Sequence, residues 1–577
     1  MTGFRAEAIR AAFLAVALAG WIGPAAGQTA DAGVVQVQTL GSPDGPAAGL
    51  LETGNGGLGA DIWQDTPRSR AEDMLARLPL ATPVESVRAL ARRLVLTTAD
   101  APLGDAPHRF LSVRLKLLLD AGLIDEAGKL AAMAGTPKDP ELARLVADSL
   151  LYARRTADIC GPGTGLRLDS SDPFWMELRA YCYAVAGDQN MLDLTRAVMR
   201  AQNTDDPAFE ALLDAVISHQ ARAPGNMQEP TSLDVFLLQS LGSPIDPAWS
   251  QHLGLPASVA AMEDTADTPD QQLEAAEDVV RGGAATTAQL AAIADAQAFA
   301  PDQLADAAAV APTLPFVAGQ ALIRQAVQQA PDIYVRKRLL FAAFVAAERA
   351  GLLPVAAALQ GDAASTISLN PTDHAHAALI ASALLLDGHP DAAARCAAAF
   401  DKDSDSDKAP LALLQAELDL AAPGPARDAD AQSALAFFAA QATEKTPAGG
   451  EPTRPLALLV LGTYEALGKP VPPEAASAIA VLKSHEWPGR RPGADIFTRL
   501  AAATKDTGRR GDIILSILDF IGPGGPGDVA PDATVAFVRA LERMGYDDAA
   551  TDLAVDSLVL YRPPPPPPSP PPSASAS

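Results

Sequence analysis

Asp401, Asp403, Asp405 and Asp407 are the densest set of cation-capable side chains in the sequence. A hard cation such as calcium needs several oxygens from one tight turn, and acids at alternate positions offer them with that spacing. The sixth place of such a loop, where glycine makes the bend, is Ser406, and the twelfth, where a bidentate glutamate closes the shell, is Ala412. The run is therefore an incomplete calcium candidate, and its plainer reading is a solvated loop between repeats. Cys160 and Cys182, 22 residues apart, fall on neighbouring predicted helices, so an oxidising compartment allows either a disulfide or two buried thiols. His374, His376, His389 and Cys396 are of zinc-binding type and lie close in sequence. Residues at i and i+2 leave a helix on different faces, however, and Cys396 belongs to an apolar stripe. Gly-x-Ser-x-Gly, Ser-x-x-Lys, His-Glu-x-x-His and Cys-x-x-Cys are all missing. No catalytic residue, cofactor-binding residue or cofactor is assigned.

The elements that must carry these residues are helical. From Ala377 to Phe400 the sequence reads as two short helices folded back around Asp387, Gly388, His389 and Pro390. Ala377, Ile380, Ala381 and Leu384 stand at i, i+3, i+4, i+7, as do Ala393, Cys396, Ala397 and Phe400. Gly388 can end the first helix in the left-handed conformation, and Pro390 presets φ for the second. Comparable turns are expected at Gly122, Gly187, Gly351, Gly468, Gly508 and Gly545, several of them about 37 to 40 residues apart, the period of paired-helix arrays.

Trp175, Leu178, Tyr183, Gly187 and Ala197, with Pro207 beyond them, carry the nearest family likeness. The segment resembles a degenerate tetratricopeptide unit, departing from that pattern at Arg179, where a small residue is expected, and in the late position of Pro207. The resemblance implies architecture over most of Thr66 to Tyr561, and peptide or protein binding as the common use of such arrays. It carries no catalytic residue across. Glu85 and Ser86 are also the pair that opens the lytic transglycosylase motif, but the downstream Gly-Ala-x-Gly-Leu-Met-Gln run is absent. The expected fold is all-α: a right-handed α-solenoid of helix hairpins with an extended N-terminal arm and a proline-rich C-terminal tail.

Residues 1–27 read as a signal peptide. Arg5 and Arg10 flank a short apolar run ending before Pro24, and Ala25 and Gly27 form a small-x-small cleavage site. Residues 28–63 read as a Gly- and Pro-rich arm whose Leu50, Leu51, Leu58, Ile62 and Trp63 cap the first repeats. Gly54, Gly56, Gly57 and Gly59 lack the strand and the Lys-Ser/Thr pair of a phosphate loop. Repeats are expected over 64–221 and 282–561, separated by a proline-interrupted connector at 222–281. Thr66 with Pro67, and Thr82 with Pro83 and Glu85, mark the first helix starts, the second as a capping box. Residues 562–577 read as a disordered polyproline tail, since proline has no amide donor and fixes φ.

Hydrophobic residues make up 48% of the 577 but aromatic ones only 5%, so the core must be Ala, Leu and Val. A formal charge of −26 argues against nucleic acid and anionic lipid, both of which need a positive surface. The leader implies a periplasmic or secreted protein, cleaved near Gly27 and without stable membrane insertion thereafter. The functional expectation is a non-enzymatic scaffold binding another envelope protein or peptide. The alternatives are an envelope enzyme acting on glycan or peptidoglycan through paired carboxylates, and a structural spacer.

Overall fold

The helical period in the sequence becomes helix along the chain. The computed structural model describes residues 47–105, 109–135, 137, 139–161, 171–220, 229–264, 266–443, 453–485, 487 and 489–562. It is 71% helix, with 29 α-helices and, among the described residues, no β-strand, so the fold is all-α. The expected signal peptide, the arm as far as residue 46 and the polyproline tail from 563 lie outside the described residues. No described helix is long and apolar enough to cross a membrane.

The unit around Gly388 shows how the sequence makes a helix pair. His374–Leu386 buries Ala377, Ile380, Ala381 and Leu384. Gly388 then takes φ of 72°, and the His389 N–H donates to the Leu384 carbonyl at 2.8 Å, satisfying an end of the helix that would otherwise lack a donor. Pro390 opens Pro390–Arg395, which tightens into a 3-10 turn at Cys396–Ala399 and buries Ala393, Cys396 and Phe400. Gly122, Gly187, Gly351, Gly468 and Gly545 are left-handed in the same way. Gly508 is not. A Cβ there would stand 2.3 Å from the Asp65 carboxylate, so this glycine serves a close approach between distant segments and does not end a helix.

Two helix starts also differ from expectation, for a related reason. Thr82 does not form a capping box: the helix is Glu85–Leu96, preceded by Val84, and Glu85 pairs with Arg88. The Thr82 hydroxyl donates instead to the Pro523 carbonyl at 2.8 Å. Thr66 is wholly buried, and Arg68–Leu75 begins behind Pro67 without a side-chain cap. Both threonines lie where the two ends of the described chain meet. Arg68–Leu75 packs on Arg510–Ile521, and Glu85–Leu96 packs on both Arg510–Ile521 and Asp547–Val559. Arg70 pairs with Asp512, Arg77 with Asp519 and Arg510 with Asp61. The Tyr546 hydroxyl donates to the Leu58 carbonyl at 2.9 Å, and the Ser86 N–H to Asp556 at 3.0 Å. Leu58, Ile62 and Trp63 are buried at this seam, each worth roughly 1.5–3 kcal/mol of transfer free energy.

The larger core joins residues from 58 to 294 with residues from 412 to 558; a smaller one is built mainly from Ala307 to Leu418. Leu233, Val259 and Val279, from the proline-interrupted stretch, belong to the larger core. Pro256 and Pro269 stand in the first turn of their helices, at the second and first positions, where proline removes no intrahelical bond.

Candidate functional site

The smaller core leaves an open apolar surface beside the helix Ile333–Ala350, around which it is built. Asp332 caps that helix, accepting from the Tyr334 N–H at 2.8 Å, and Gly351 ends it with φ of 70°. Leu339, Leu340, Ala343, Phe344 and Ala347 are its buried face. The preceding chain, Pro301 to Thr313, is broken into Pro301–Ala305, Ala307–Val310 and the 3-10 turn Ala311–Thr313. These short, alanine-rich pieces pack on Phe316–Gln329, and Ala307–Val310 also packs on the long helix, leaving part of its flank open. Two hollows result. One of about 670 Å³ lies among Leu304, Ala308, Ala326, Val335, Arg338 and Leu339, with Asp306 and Gln329 also lining it. The other, of about 530 Å³, lies among Ala308, Leu314, Phe316, Ile323, Ala342, Val345 and Arg349. Ala308 lines both, so the hollows succeed one another along one helix flank.

The charge in this groove is unusual for the molecule. Among the described residues, every arginine except Arg338 and Arg349 has a hydrogen bond, an ion pair or a charged neighbour. Arg338 and Arg349 are exposed, one in each hollow, and about three turns or 16 Å apart along the helix. Tyr334, 72% exposed, stands one turn before Arg338. Asp306 makes no ion pair with Arg338. An apolar floor with unpaired guanidinium groups at its edge suits an apolar ligand bearing carboxylates.

The residues singled out from sequence are placed elsewhere. Asp401 and Asp407 are joined through the Asp401 N–H at 2.9 Å, the Asp403 N–H donates to Asp401 at 3.0 Å, and Asp405 pairs with Lys408 at 2.7 Å. The Asp401 amide holds the Asp407 carboxyl below the ordinary range, and Lys408 does the same for Asp405. The carboxylates of Asp401, Asp405 and Asp407 are thus engaged in a backbone turn and the start of Asp405–Ala421, and no group of three or more His, Cys, Asp or Glu among the described residues could hold a metal ion. Cys160 and Cys182 are bonded, with Cα atoms 5.4 Å apart, tying Thr156–Ile159 to Pro173–Ala186. His376 stacks on Phe341 of the groove helix, His374 meets the Pro371 carbonyl at 3.0 Å, and His389 faces Asp387 at 3.2 Å. Cys396 is free and buried, its thiol pushed up to about 12 by desolvation. Ser86 gives its N–H to Asp556, and Arg93 donates to the Gly56 carbonyl within the glycine turn.

Several carboxyls are displaced upward by burial, Asp267, Asp387 and Asp556 to about 6 and two glutamates further. Burial pushes Glu177 up to about 8, aided by Asp234 and Asp206, and burial alone pushes Glu417 up to about 8. Neither lines either groove hollow, nor the acidic hollow of about 490 Å³ formed by Asp246, Glu274 and Asp278. Paired-carboxylate chemistry needs the perturbed acids to face one cavity. The groove itself escaped the sequence analysis, because an arginine on a helix flank reads as solvated until its neighbours are known. Its one sequence trace is Arg338 and Arg349, eleven residues apart on one face with Ala342 and Val345 between. Comparisons with protein-family models, with curated proteins and with solved structures gave no match.

Proposed function

We propose that this chain is an exported, non-enzymatic scaffold that binds another envelope protein or peptide in the groove beside Ile333–Ala350. In this reading the helix pairs form a solenoid-like stack, in keeping with the tetratricopeptide-like segment at Trp175 to Pro207, and residues 1–27 direct export. The observation that carries it is the run of two apolar hollows, each with an arginine that has no partner among the described residues. Apolar area supplies the binding free energy, and the guanidinium groups set orientation. The test is to select ligands for the mature chain from a displayed peptide library and measure their binding to Ala346→Trp, which fills the second hollow. Affinity should fall about tenfold or more, with the melting temperature within a few degrees of the parent. Selected peptides that bind Ala346→Trp as well as they bind the parent would place recognition elsewhere.

A further inference from the structure

Resting on that reading, we infer that the groove takes an amphipathic helix carrying two acidic residues eleven positions apart, one facing Arg338 and the other Arg349. The backbone of the groove helix is hydrogen-bonded within itself from Ile333 to Ala350. An extended peptide laid along it would find no edge to pair with and would bury unpaired N–H and C=O groups. A helix satisfies its own backbone and brings only side chains to the groove. Ala308, Ala326, Ala342 and Ala346 in the walls allow two helix axes to approach within about 8–10 Å. Along a bound helix, positions i, i+4, i+7 and i+11 share one face, and the span from i to i+11 equals that from Arg338 to Arg349. The two inner positions then fall over the hollows and should be apolar. Acid is selected at the outer two because both guanidinium groups lack a partner among the described residues, in a chain whose net charge of −26 otherwise repels acidic ligands. Asp306 on the rim of the first hollow disfavours a second acid there, so one acid per hollow is the expected pattern.

The experiment uses the mature chain and a labelled synthetic helix with two glutamates eleven residues apart and leucines at the inner positions, followed by fluorescence anisotropy. Arg338→Glu and Arg349→Glu should each weaken binding about tenfold or more, and the double reversal should bind the version of the probe with lysines in place of both glutamates. Moving the second glutamate to the opposite face should cost as much as either single reversal. If the library peptides lose binding on Ala346→Trp but contain no acidic pair and ignore both arginine reversals, this inference fails while the groove stands. If no library peptide responds to Ala346→Trp, the groove fails with it. Displacement of the probe by a synthetic peptide of residues 563–577 would make the chain's own proline-rich tail the occupant and overturn the inference.

Discussion

Glu417 lies in Asp405–Ala421 at 3% exposure, and burial alone sets its carboxyl at about 8. The folded chain therefore keeps it protonated near neutrality, while the unfolded chain ionises it at about 4.3. A folded-state pKa above the unfolded one contributes stability that is complete below about pH 4.3 and is lost as pH rises to about 8. Glu417→Gln removes that term, so its stability relative to the parent should rise by up to about 1.4 kcal/mol per pH unit between pH 5 and 7.5 and level off above 8. Urea unfolding of both proteins at several pH values reads this out; parallel curves would mean that Glu417 is solvated. Glu177, with a similar displacement, keeps its own slope in both proteins, so only the difference is informative. In the sequence, Glu417 is one more acid in an amphipathic helix, and nothing marks it as buried.

At the scale of elements, glycine shows where local rules hold and where they are overridden. Gly388 ends its helix with φ of 72° and open space around it, so Gly388→Ala should cost about 1 kcal/mol through backbone strain. Gly511 sits inside Arg510–Ile521, where the helix rule makes alanine better by about 1 kcal/mol. There, however, a Cβ would stand 2.6 Å from the Ile62 carbonyl and 2.9 Å from the Trp63 ring. Gly511→Ala should therefore destabilise by about 1–3 kcal/mol, the usual cost of overpacking. Denaturant midpoints for the two variants separate the cases, and a stabilised Gly511→Ala would show that the seam yields. Between Thr156–Ile159 and Pro173–Ala186 the disulfide closes a loop of 22 residues. Cys160→Ser with Cys182→Ser should lower stability by about 3 kcal/mol in the chain-entropy model, and reductant should then have no further effect on the melting temperature.

Across the whole molecule, the contact between helices near the two ends of the described chain decides how stability is shared. In an open array each repeat touches only its neighbours, and a defect at one end leaves the other protected. Here Glu85–Leu96 packs directly on Asp547–Val559, and Asp556 accepts from the Ser86 N–H. Leu553→Ala opens a cavity in the last helix at a cost of about 2–5 kcal/mol. Amide exchange should then quicken in Glu85–Leu96 as well as in Pro531–Arg543, and to a similar degree. Exchange left unchanged at Glu85–Leu96 would make the seam a contact without energetic weight.

The sequence by itself determined what depends on neighbours a few residues away. Helix type, the buried stripes of Ala377 to Phe400, and the left-handed glycines at 122, 187, 351, 388, 468 and 545 all follow from 3.6-residue periodicity and the missing Cβ. Only the tertiary structure decided that the Thr82 hydroxyl serves Pro523 and not its own helix, and that Gly508 is needed beside Asp65. It alone shows Arg338 and Arg349 at the edge of an apolar groove without partners among the described residues. Those outcomes rest on residues brought together from far apart in the chain, or on neighbours that fail to arrive, and neither leaves a local pattern to read.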